Sequence, residues 1–101
     1  MEIDDVATLA ATLDGVRRSV KEGYVEWRYC GRLVARQMDD GLLLIRCDFD
    51  CRDVLLRMFP GTFSVPPRYQ KHMMIVADIA GGDPAAIEDA IEAAWVLQRR
   101  D

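Results

Sequence analysis

The stretch from Tyr24 to Cys47, YVEWRYCGRLVARQMDDGLLLIRC, constrains the fold more than any other part of the chain. Residues suited to a pleated, half-buried surface alternate there with polar ones, and turn residues interrupt the run twice. Three consecutive strands are expected: Val25 to Cys30, Arg32 to Met38 and Leu42 to Cys47. Gly31 supplies the first turn and Asp39-Asp40-Gly41 the second, because hairpin turns need positive φ and glycine adopts it without a Cβ clash. Period-two alternation then assigns faces. Val25, Trp27 and Tyr29 oppose Tyr24, Glu26 and Arg28. Leu33, Ala35 and Gln37 oppose Arg32, Val34 and Arg36. Leu43, Ile45 and Cys47 oppose Leu42, Leu44 and Arg46. With the first apolar sets against helices, Arg28, Arg32, Arg36 and Arg46 lie on or near an open face, as antiparallel sheets allow.

The remaining segments read in turn. Ile3, Val6, Leu9, Ala10 and Leu13 mark one buried face of a helix over 3–13, with Asp4 and Asp5 near its positive end and Gly15 as its stop. Arg17 to Gly23 reads as a polar connection. A second helix is expected over 50–58, capped by Asp50, and Pro60-Gly61 ends it. Strands follow at 62–65 and 73–79. Between them Pro66-Pro67 stiffens a loop carrying Arg68, Tyr69, Lys71 and His72. Asp83-Pro84 opens a final helix over 84–99, with Asp as N-cap and Pro in the first turn. The order is α-β-β-β-α-β-β-α, a two-layer α+β domain with a five-stranded antiparallel sheet and helices mainly on one side. Trp27, Leu33, Ile45, Phe63, Ile75, Ile91 and Trp95 are the expected core.

One domain spanning 1–101 suits this length, and no apolar run approaches the ~20 residues of a membrane span. The acidic start, MEIDDVATLAATLDG, lacks the character of a secretory signal, so a cytoplasmic protein with reduced thiols is expected. Cys30, Cys47, Cys51 and His72 can be written as a zinc set, but paired CxxC knuckles are missing and no metal is expected. The net charge of −4 is unevenly spread. Residues 17–71 carry eleven bases against seven acids; residues 1–16 carry four acids and no base, and residues 72–101 six acids against two bases. A basic middle between acidic flanks is the electrostatic precondition for an anionic partner.

Taken together, LDGV (13–16), EWRYCGRLVARQ (26–37), GLLLIRCDFDCRDVLL (41–56), TFSVPPRYQKHMMIVADI (62–79) and DPAAIEDAIEAAWVLQRR (83–100) resemble the MmcQ/YjbR family of small bacterial proteins. The resemblance covers nearly the whole chain and rests on order and spacing. Tyr69 and Trp95 stand where the family usually has a tyrosine after the fourth strand and a tryptophan in the last helix. Met73-Met74 stand where many relatives have tryptophan. A more distant resemblance is to the TfoX N-terminal domain. The family resemblance implies a double-wing-like α+β fold, a predicted DNA-binding role and no catalytic residues.

A catalytic site needs a nucleophile–base pair, paired carboxylates or a metal centre, and no such constellation or Gly-rich phosphate loop stands out. The expectation is a non-enzymatic DNA-binding protein without cofactor, a monomer or weak homodimer, contacting phosphates through Arg28, Arg32, Arg36, Arg46, Arg68 and Lys71, with Tyr69 available to stack. The alternative is a protein- or small-ligand-binding module that uses the open sheet face, where Val34 and Leu44 neighbour arginines.

Overall fold

A computed structural model describes residues 1–100. The elements are α1 (Ile3–Thr12), β1 (Val16–Lys21), β2 (Tyr24–Tyr29), β3 (Arg32–Gln37), β4 (Leu42–Arg46), α2 (Phe49–Met58), β5 (Phe63–Ser64), β6 (Met74–Asp78) and α3 (Pro84–Gln98). They form an α+β domain with one antiparallel sheet and three helices. The sheet has six strands in the order β1-β2-β3-β4-β6-β5, not the expected five.

The additional strand is β1, in the segment read as a polar connection. Lys21 pairs with Tyr24, so Glu22-Gly23 is a two-residue hairpin turn, and both residues have positive φ (56° and 85°). Tyr29 pairs with Arg32 in the same way across Cys30-Gly31, at φ 48° and 78°. As an edge strand with five of its six residues exposed, β1 is held by backbone pairing to β2 rather than by an apolar face. That is why its sequence, VRRSVK, lacks a convincing alternation.

Strand faces follow the expected alternation in β2 and β4 but not in β3. Trp27 pairs with Ala35, yet Arg28 pairs with Leu33, leaving Val34 as an extra residue opposite β2. Such a bulge puts two successive side chains on one side and reverses the parity beyond it. Val34 and Ala35 therefore both enter the core, at 0% and 1% exposure. Leu33 turns to the open side opposite Arg28. Arg32 turns to the helix side, where its Nη1 donates to the carbonyls of Gln98 (3.0 Å) and Arg100 (2.6 Å) at the end of α3. This corrects the expected placement of Arg32, Leu33 and Val34.

Trp27, Ala35, Ile45 and Ile75 line up across β2, β3, β4 and β6 on the helix side of the sheet. Val6 and Ala10 of α1, Ile87, Ala90, Ile91 and Ala94 of α3, and Phe63 of β5 close over them in one core. Leu55, Leu56 and Phe59 of α2 and its exit pack at its margin. Each large side chain removed from water here contributes roughly 1.5–3 kcal/mol. Leu33 and Trp95, expected in this core, are only half-buried. Trp95 sits at the layer's edge; its Nε1 donates to the Asp14 carbonyl at 2.9 Å and the Arg99 guanidinium lies 4.3 Å from its ring centre.

The helix starts obey capping chemistry. Asp83 accepts from the N–H groups of Ala85 (3.0 Å) and Ala86 (3.3 Å), as expected. In α2 the cap is Asp48, which accepts from the Cys51 N–H at 2.8 Å, and Asp50 falls within the first turn instead. No helix of the described residues is long and apolar enough to cross a membrane.

Candidate nucleic-acid interface

Residues paired across adjacent strands share a face, so the register defines the side of the sheet turned away from the helices. It carries Arg17, Ser19 and Lys21 on β1, and Tyr24, Glu26 and Arg28 on β2. Arg36, Leu44, Arg46, Met74 and Val76 continue it across β3, β4 and β6. Bases thus recur on neighbouring strands. Two of the helices have the opposite character: α1 holds Asp4 and Asp5, α3 holds Glu88, Asp89 and Glu92, and neither contains a base, whereas α2 balances Asp50 and Asp53 with Arg52 and Arg57. The charge asymmetry of the sequence has become a partial separation between layers, with Arg18 and Arg32 remaining on the helix side.

Two acids, Glu26 and Asp78, interrupt the basic face, Asp78 at its edge opposite Leu42. Glu26 is only 4% exposed, and its Oε1 accepts from Arg28 Nε at 2.9 Å. That hydrogen bond, with the charges of Arg28, Arg36 and Lys21, holds the carboxyl below its ordinary pKa against the opposing effect of burial. Arg28 also donates from Nη1 to the Gly31 carbonyl at 2.9 Å, so its guanidinium is already committed. Arg36 is freer. It lies 6.0 Å from the Tyr24 ring centre and 3.7 Å from the exposed Glu22 carboxylate, a surface pair of small energetic weight. Tyr24 in turn donates its hydroxyl to Asp39 Oδ1, and that bond and its charge raise the phenol's pKa.

The loop after β5 comes back to this face. Pro67–Tyr69 forms a short 3-10 turn, and Arg68 stacks over Tyr69 with 4.7 Å to the ring centre. From α2, Arg52 grips the loop by its backbone: Nη1 donates to the carbonyls of Tyr69 (3.3 Å) and His72 (2.9 Å), and Nη2 to that of Gln70 (3.1 Å). The same guanidinium lies 4.8 Å from the Phe49 ring centre. Between loop and sheet is an open groove of about 320 Å³, lined by Tyr24, Arg36, Leu42, Leu44, Arg68 and Tyr69, with the exposed Asp39 and Asp40 also on its wall.

The seven candidate residues therefore separate. Arg36, Arg68 and Tyr69 meet in the groove. Arg28 shares the face but is bonded to Glu26. Arg46 is on the same face by register, half-buried, with its Nε enclosed and lacking a hydrogen-bond partner among the described residues. Lys71 is exposed on the loop, outside the groove lining. Arg32 is on the other side of the sheet. Arg17 and Lys21 also lie on the open face, on an exposed edge strand whose sequence carries no apolar alternation to reveal it. Tyr24, which alternation places with Glu26 and Arg28, lines the groove as well.

The three thiols are free: Cys30 is exposed, Cys51 half-buried and Cys47 buried, with burial pushing the Cys47 thiol up to about 12. Among the described residues no group of three His, Cys, Asp or Glu side chains comes together as a metal site. Comparison with protein-family models, curated proteins and solved structures finds no match.

Proposed function

We propose that this protein is a non-enzymatic DNA-binding domain that uses the open face of its sheet and the 66–72 loop. The observation that carries the reading is the uneven charge: Arg17, Lys21, Arg36 and Arg68 on the sheet side, the acidic helices α1 and α3 on the other. A polyanion approaching such a molecule is drawn to one face and repelled from the opposite one. The arginines hold phosphates, which positions the DNA without reading sequence. The resemblance to the MmcQ/YjbR family, whose members are usually described as predicted DNA-binding proteins, supports the same reading.

The test is a titration of labelled duplex and single-stranded DNA at several salt concentrations. Phosphate contacts make log K fall linearly with log salt, by about 0.9 per contact for duplex and about 0.7 for single strands. Binding that strengthens steeply at low salt, with a smaller slope in Arg17→Ala/Lys21→Ala, is the expected result. No binding to either form at low salt refutes it. The face would then serve a protein partner, to which its mixture of arginine, tyrosine and leucine is also suited.

A further inference from the structure

We propose that the groove between the sheet and the 66–72 loop seats one unstacked base, so that this face selects single-stranded DNA over duplex. The inference rests on the DNA-binding reading above and goes beyond it in assigning the form of nucleic acid. A site for phosphates alone needs only donors. This groove instead combines Arg36 and Arg68 with two tyrosine rings and two leucines. Each arginine is held over a ring, Arg68 at 4.7 Å from the Tyr69 centre and Arg36 at 6.0 Å from the Tyr24 centre. Ring and guanidinium together offer the flat, polarisable surface on which bases of any identity stack.

Shape and charge agree with a single base. A volume of about 320 Å³ lies at the low end of the range for small-molecule pockets, room for one nucleotide rather than a helix of DNA. A base inside a duplex is covered on both faces by its neighbours, so it cannot enter without being unstacked. The wall also carries Asp39 and Asp40, which repel phosphate. Phosphate is thereby favoured at Arg36 and Arg68 over the acidic wall, and the base at the guanidinium–ring pairs and Leu42. Leu42 is half-buried on the groove wall, an apolar surface that a base covers at little desolvation cost.

The experiment is fluorescence anisotropy at low salt with a labelled oligothymidine and a mixed-sequence duplex of equal length. Wild type is expected to hold the single strand at least about tenfold tighter. Base–aromatic stacking lost on replacement by alanine amounts to roughly 5- to 140-fold in affinity. Tyr69→Ala should lose single-strand affinity by a factor in that range and weaken duplex binding far less, while Tyr69→Phe, which keeps the ring, binds like wild type. Tyr24→Ala, on a strand, should give the same selective loss independently of any change in loop conformation. Arg17→Ala/Lys21→Ala, outside the groove, should weaken both forms alike. Equal binding of the two forms by wild type, or alanine variants that weaken both equally, overturns the seated base while DNA binding stands. Absence of binding to either form overturns both.

Discussion

Arg32 and Arg36 are four residues apart on one strand, and period-two alternation assigns them the same face and role. The bulge at Val34 gives them different ones, and the difference is measurable. Arg32→Ala removes two hydrogen bonds from a guanidinium to the carbonyls of Gln98 and Arg100, at 3.0 and 2.6 Å. Hydrogen bonds to charged groups contribute about 1.5–3 kcal/mol when sheltered, but Arg32 is exposed, so the lower part of that range applies to the pair. A cation at a helix C-terminus adds about 0.3–1 kcal/mol. Part of this is replaced by water, and a net loss of about 1–2 kcal/mol follows. For a domain of this size that lowers Tm by roughly 4–12 °C. Arg36→Ala removes a long surface pair and a stack, and should change stability by less than about 0.5 kcal/mol. Urea and thermal unfolding followed by circular dichroism measure the stability, and DNA titration the affinity. Arg32→Ala should be destabilised with its salt slope intact; Arg36→Ala should be stable with a slope reduced by about 0.7–0.9. A stable Arg32→Ala that loses salt slope would mean that Arg32 faces the ligand, and the register assignment would be wrong.

Two further outcomes test the packing and the buried charge. A Cβ at Gly82 would lie 2.5 Å from the Asp78 carbonyl oxygen and 2.7 Å from Thr62 Cγ2, whereas one at Gly61 meets nothing within 4 Å. Gly82→Ala should therefore cost about 1–3 kcal/mol in urea unfolding and Gly61→Ala should be near neutral; equal effects would contradict the close approach. Glu26 has a folded-state pKa below its ordinary value of 4.5, so its stabilising contribution is complete above that value and is lost as pH falls through the lower folded value. The stability gap between wild type and Glu26→Gln should accordingly be constant at neutral pH and close on acidification below 4.5; a gap independent of pH would show that the carboxylate's charge is not involved.

Strong local signals made most of the fold legible. The hairpin glycines, the Asp83-Pro84 start of α3 and the alternation in β2 and β4 each correspond to a backbone or packing requirement that the residue itself expresses. β1 was hidden because an exposed edge strand needs no apolar face, so its charged sequence resembles a loop. The bulge was hidden because nothing in RLVARQ marks where one residue is added; only pairing with β2 decides it. The consequences for the site are specific. Counting by twos puts Arg32 on the wrong side of the bulge, and the loop-like sequence of β1 hides Arg17 and Lys21, whereas Arg36 is beyond the bulge on the face that alternation gives it.

The grip of Arg52 on the backbone of residues 69, 70 and 72 has a kinetic meaning. A segment tethered at three carbonyls has its shape set when the chain folds, before any ligand arrives. Capture on this face should then proceed as a rigid encounter, without the slow step of a loop searching for its bound form. Complexes of that kind differ from one another mainly in how long they last rather than in how quickly they form. Loosening the tether at Arg52 would add a conformational wait to an association that otherwise has none.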